Sequence, residues 1–160
     1  MSSEIALRQI ALNTTGMNVL LAWGILNLVV GLFLAFRFNK KQQMHWFFLM
    51  NAMWGGINTA IAGGAIFFLG TIQPAQMELR QIIYLMFNFE KILVFSMGLN
   101  IAYVAIGAFL SACGAHEKKP VLLGFGRAIQ VQGGALLLFD TALLLLNMPL
   151  TKEYGFSILF

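Results

Sequence analysis

The chain reads as an all-α, polytopic membrane protein, a four-transmembrane-helix bundle made of two parallel-repeat helical hairpins, each preceded by a short interfacial helix. Three observations lead there: an apolar composition with four span-length stretches, an internal repeat, and single polar residues set at similar depth in each stretch. Of 160 residues, 59% are hydrophobic and only 10% charged, with a mean hydropathy of +0.81. A soluble domain carries about 25% charged residues, and a chain this small cannot hide so much apolar surface in one core. The bilayer is then its solvent.

A helical span needs about 17–25 apolar residues. Four stretches meet that length, at 17–36, 45–69, 87–112 and 122–148, within a single membrane domain over 1–160. The first does not read as a cleaved leader, since no basic region precedes it and Arg37, Lys40 and Lys41 follow it. Ahead of spans one and three, Ser3–Thr14 and Gln76–Phe87 have mixed composition. They read as short amphipathic helices on the membrane surface, with Ile5, Leu7, Ile10 and Leu12 toward lipid and Arg8, Gln9 and Asn13 toward water. For the second of them, a simple extension of the following span is an equal alternative. Pro74 breaks the chain before it, and Pro120 sits where a helix starts well.

Basic residues orient the spans. Arg37, Lys40, Lys41, Lys118, Lys119 and Arg127 lie in or beside the two short loops within the hairpins; Arg8, Arg80, Lys91 and Lys152 lie on the other side. Short loops rich in Lys and Arg stay in the cytoplasm. Both termini are therefore expected outside, in a multi-pass protein of the cell membrane. The net charge of +4 belongs to these loops. It is not a nucleic-acid signal, because no basic patch interleaves with exposed aromatics.

The repeat shows in three matches in the same order. LRQI at Leu7–Ile10 recurs at Leu79–Ile82, 72 positions on. Gly24, Asn27, Gly31 and Ala35 share their spacing with Asn100, Tyr103, Gly107 and Ser111, 76 positions on. WGG at Trp54–Gly56 aligns with QGG at Gln132–Gly134, 78 positions on. The units run over about 3–70 and 75–149. Each has two spans, so both keep one orientation, related by a pseudo-two-fold axis along the membrane normal.

Lipid gives helices no hydrophobic reason to associate, so small residues and interhelical hydrogen bonds must hold them. On span two, Ala52, Gly56, Ala60 and Gly64 fall four apart, with Gly55, Thr59 and Gly63 beside them. These stripes are expected inside the bundle, with a dimer interface as the lesser reading. Asn27, Asn58 and Asn100 fall near the midplane, and Asp140 lies about a turn outward. Gln132, Leu136 and Asp140 share a face of span four; Asn51, Trp54 and Asn58 share one on span two.

Buried Asn is commonly interhelical glue. Asp140, in LLLFDTALLLL, is harder to explain that way. An aspartate at the centre of an inserting helix costs about 2.5–3.5 kcal/mol, and asparagine would bond as well for less. Asp140 is either protonated or satisfied by Asn, Tyr103 or a bound cation. Lys91, at the outer end of span three, is the nearest basic candidate. The expected ligand- or ion-binding set is Asp140, Asn58, Asn100, Asn27, Tyr103, Gln132 and Trp54.

Other chemistry finds little support. Cys113 is the only cysteine, so neither a disulfide within the chain nor CxxC redox chemistry is open to it. His45 and His116 lie by the loops, where they suit an interface and not a mid-span haem. Trp46 looks like an interface anchor. No metal cluster, phosphate loop or nucleophile–base arrangement is seen, and no cofactor is expected.

The segments WGILNLVVG, MNAMWGGINTAIAG, GLNIAYVAIGAFL and VQGGALLLFD resemble an uncharacterised family of small bacterial four-helix membrane proteins, a domain of unknown function. The resemblance covers most of the chain. It implies four spans and a bacterial inner-membrane location, and brings no activity, substrate or cofactor. This chain has Asn100 where that family tends to carry an Asp nearby, which weakens any scheme needing two carboxylates.

The favoured reading is binding or translocation of a small ligand or ion at a polar midplane cavity centred on Asp140. The alternative is an accessory or scaffold subunit whose polar residues are glue. An enzyme acting on a lipid is the weakest, since only Tyr103 or Glu90 could assist Asp140. The partners left open are the lipid bilayer itself, a small ligand or lipid, and a homodimer or another membrane protein; nucleic acid is not among them.

Overall fold

The computed structural model describes residues 2–155, with side chains from Glu4 to Lys152. Four long helices make up the fold: α1 (Ser2–Arg37), α2 (Gln43–Thr71), α3 (Leu79–His116) and α4 (Pro120–Gly155). A single 3-10 turn, Pro74–Gln76, joins α2 to α3. Each helix is long and apolar enough to cross a membrane. Large apolar side chains cover the perimeter; Phe36 is 85% and Phe67 77% exposed. A soluble fold does not leave such a surface to water.

Helix ends follow local chemistry. Glu78 caps α3 in a capping box, its backbone N–H donating to Gln81 Oε1 at 3.0 Å. α3 ends in a Schellman-type turn. Lys118 takes the left-handed conformation at φ 54°, and the Lys119 N–H donates to the Gly114 carbonyl at 2.9 Å. Pro120 then opens α4, where its missing N–H is harmless. Beside the other loop, in the first turn of α2, His45 is buried and bonds the Ala35 carbonyl through Nδ1 at 2.7 Å. A carbonyl only accepts, so Nδ1 carries the proton. His45 is thus a clasp between the ends of α1 and α2.

The helices run beyond the expected spans, and the expected surface helices are not separate elements. Residues 3–14 are the first turns of the unbroken α1, and 79–87 those of α3. Ala6, Gln9 and Asn13 are fully buried, and Ile5 is buried too. The inward face of α1 begins at its first turn, with Gln9 bonding Asn147 of α4 and Asn13 bonding Gln9 instead of water.

α1 packs mainly on α2 and α3 mainly on α4, while α2 and α4 lie side by side and join the two pairs. The end carrying the two short loops gathers Arg37, Lys40, Lys41, Lys118 and Lys119, and is called here the basic end. The opposite end is the terminal end. A core of Met17, Leu20, Ala62, Leu69, Leu93 and Leu143 draws on all four helices. At the terminal end, Ile5 and Ala6 of α1 meet Ile82 and Met86 of α3. α2 and α3, by contrast, make no backbone approach to each other among the described residues.

Glycines set the close approaches. A Cβ on Gly31 would meet the Phe48 carbonyl and the Ala52 N at 2.8 Å each, and one on Gly55 would collide with the Leu28 N and the Gly24 carbonyl. The expected stripe on α2 therefore divides. Ala52, Gly55 and Thr59 meet α1. Gly56, Gly63 and Gly64 face open space. A Cβ at Gly55 forces α1 and α2 apart, whereas one at Gly56 touches nothing. Gly55→Ala is expected to destabilise the protein by about 1–3 kcal/mol, and Gly56→Ala to leave it unchanged or stabilise it by up to about 1 kcal/mol. Thermal unfolding of both variants in mild detergent checks the contrast.

Candidate functional site

The inward face of α4 carries the polar groups. Ala128, Gln132, Asp140, Leu143, Asn147 and Thr151 are all buried along it, at spacings that keep one side of a helix. Gln132, Asp140 and Asn147 each anchor a separate polar cluster. At about 1.5 Å per residue the clusters stand some 10–12 Å apart.

Nearest the basic end, Gln132 is a hub. Its Nε2 donates to Asn27 Oδ1 on α1 at 2.8 Å and to Asn51 Oδ1 on α2 at 2.6 Å, and its Oε1 accepts from Trp23 Nε1 at 3.1 Å. Asn27 and Asn51 each donate Nδ2 to a carbonyl one turn back on their own helix, of Trp23 and Phe47. That leaves each amide oxygen aimed at Gln132. The cluster at the terminal end repeats the device. Asn147 Nδ2 donates to the Leu143 carbonyl, and its Oδ1 accepts from Gln9 Nε2, which also donates to Asn13.

The middle cluster differs. Asp140 is 6% exposed. Its Oδ2 accepts from Ser96 Oγ at 2.6 Å and from Asn100 Nδ2 at 2.7 Å. Ser96 and Asn100 lie one turn apart on α3, so both reach the same oxygen. Among the described residues no donor reaches Oδ1, and no basic side chain pairs with Asp140. Lys91 is exposed and lines a different groove, with Glu90 and Met148.

Asp140 and Ser96 stand in the wall of a cavity of about 580 Å³ between the terminal halves of α2 and α3. Most of the rest of the wall is apolar, with the amides of Asn13, Gln81 and Asn88 and the phenol of Tyr84 among it. Ile61, Phe68, Tyr84 and Ile92 belong to it and are also exposed at the perimeter, so the cavity opens sideways between α2 and α3. Towards the basic end, Trp54 of α2 meets Tyr103 of α3 edge to face, with ring centroids 5.0 Å apart.

The structure thus distributes the seven expected residues over separate places. Asn100 joins Asp140. Asn27 joins Gln132, and Trp54 joins Tyr103. Asn58 is buried, with no partner for its Nδ2. Ser96 was not expected as a partner of Asp140; its spacing of four from Asn100 is the signal that would have found it. Tyr103 takes no part in Asp140's bonds. Among the described residues no group of His, Cys, Asp and Glu could hold a metal ion.

Residues 19–141, more than half the chain, match the model of a Family of unknown function (DUF6992). The chain belongs to this family. The matched stretch takes in Asp140, Asn100, Ser96 and the Gln132 hub, while Gln9, Asn13 and Asn147 fall outside it. Neither the curated proteins nor the solved structures compared with the chain yield a match.

Gln132 serves three partners that have no other interhelical bond among the described residues. Gln132→Leu is expected to lower stability by about 1–2 kcal/mol, the scale of a few interhelical bonds in a membrane. Reversible unfolding in mixed detergent micelles measures it, with exposed Val131→Leu as the silent control.

Proposed function

We propose that this chain is an integral membrane protein that binds a small, largely apolar ligand in the cavity between α2 and α3, the ligand's polar end at Asp140. A single observation carries the reading: an apolar cavity of about 580 Å³ reaches a buried carboxyl group. Pockets of about 300–1,000 Å³ with few, well-placed polar groups suit small-molecule ligands. The side opening favours a ligand that arrives through the bilayer. Binding is preferred to translocation because the Trp54–Tyr103 pair lies across the α2–α3 seam on the basic side. The glue reading suits the Gln132 and Asn147 clusters, whose amides serve one another across helices.

The reading includes the duplicated hairpin. A Cβ on Gly31 would meet the Phe48 carbonyl and the Ala52 N; a Cβ on Gly107 would meet the Gly126 carbonyl and the Gln130 N. These are the same backbone atoms under the offsets of 76 and 78 seen in the sequence. Likewise Gly55 faces the Gly24 carbonyl and Gly133 faces that of Asn100. With the basic end in the cytoplasm, the cavity lies in the outer half of a bacterial inner membrane and both termini lie outside.

The fluorescence of aminoanthracene, an apolar aromatic probe, tests the cavity. In zwitterionic nanodiscs the wild type should give a saturable rise that Ala65→Trp, which plants a ring in the cavity wall, abolishes while helicity is kept. Equal saturable binding by both proteins would sink the reading. Orientation is tested separately in a Cys113→Ser background. A cysteine at Gln76 should react with an impermeant maleimide on whole cells, and one at Lys40 should not; the reverse pattern overturns it.

A further inference from the structure

We infer that the occupant of this cavity is an organic ammonium, a cationic nitrogen on an apolar body, held at Oδ1 of Asp140. The inference rests on the cavity reading above and names the chemistry of its ligand.

The geometry at Asp140 supplies the first argument. Both protein donors, Ser96 and Asn100, converge on Oδ2. An asparagine at this position would accept the same two bonds through its single amide oxygen, and it would be easier to bury. What the aspartate adds is a second oxygen, and that oxygen has no protein donor among the described residues. It calls for a donor from the cavity. A cationic donor adds Coulombic attraction to the bond with a carboxylate, which a neutral donor does not.

The wall supplies the second. Among the described residues no Lys, Arg or His lines the cavity, so no cation there pairs with the carboxylate or offsets an anion's charge; its other polar side chains, the amides of Asn13, Gln81 and Asn88 and the phenol of Tyr84, are neutral. A phosphate-headed lipid would set its charge beside Asp140 with no counter-charge. Phe68, Tyr84, Phe89 and Phe139 line the cavity instead. Aromatic ring faces attract cations within about 6 Å. A lone carboxylate, several aromatic rings and no competing cation are what an alkyl or aryl ammonium needs.

The test displaces bound aminoanthracene with a matched pair, phenylbutylamine and phenylbutanol, at neutral pH in zwitterionic nanodiscs. The two share one apolar body and differ only in the head. From the wild type, the ammonium should displace the probe at roughly tenfold lower concentration than the alcohol, through the Coulombic attraction of an ion pair that the alcohol lacks. Asp140→Asn should still bind the probe, with the preference for the ammonium lost. Ser96→Ala, which keeps the carboxylate, should retain the preference. Equal displacement by both compounds from the wild type, or a preference that survives Asp140→Asn, overturns the inference while leaving the cavity reading intact. Failure of the probe to bind saturably, or its indifference to Ala65→Trp, overturns the cavity reading and this inference with it.

Discussion

A polar side chain buried among apolar helices must find its hydrogen-bond partners within the protein, on its own helix or on a neighbour, because neither water nor lipid will serve it. α4 brings three such side chains to one face, Gln132, Asp140 and Asn147, and the other helices are positioned around their needs. Gln132 ties α1 and α2 to α4, Asp140 ties α3, and Asn147 ties the first turns of α1. A slip of any helix by one residue would turn these partners away. Register is therefore set by hydrogen bonding, while closeness is set by the glycines that let the backbones touch.

The proposed duplication explains why the polar layers differ. Under its offsets, Trp54 corresponds to Gln132 and Asn27 to Tyr103. Gln132 bonds Asn27 across one seam, and Trp54 meets Tyr103 across the other. The two contacts occupy equivalent places with opposite chemistry, an amide pair in one half and an aromatic pair in the other. Each half keeps its glycine contacts, since those hold the hairpins together. The inward side chains are free to diverge, and there the two halves part company.

Hydropathy and helical spacing read most of this in advance. Four apolar stretches became four helices, and Asp140, Gln132 and Asn100 face inward as their spacing implied. Three features escaped for identifiable reasons. Gln9 and Asn13 lie near a helix end, where a polar residue suits water as well as a polar partner; only the distant Asn147 decides between them. Ser96 carries a hydroxyl that can bond the carbonyl one turn back in its own helix, so alone it signals nothing. The glycines of α2 form two stripes that sequence spacing cannot tell apart, and the position of α1 selects the one at Gly55. Each missing piece depended on which face a neighbour occupies, a property of pairs of helices and not of one.

The same comparison of halves accounts for the place of the cavity. The α1–α4 seam is closed at the terminal end. Leu143 fills it against Gly16, whose absent Cβ leaves room for the leucine branches, and Gln9 bonds Asn147 beyond. At the corresponding positions of the α2–α3 seam stand Ala65 and Ile92, both in the wall of the cavity. Ala65 is too short to cross the gap as Leu143 does. Ile92 carries a branched Cβ where Gly16 has none, and it lines the cavity. The Asn147 position corresponds to Leu69, so no amide pair can draw this seam shut. The cavity lies among these three ordinary side chains, and it falls beside Asp140, whose carboxyl group α3 leaves half-bonded.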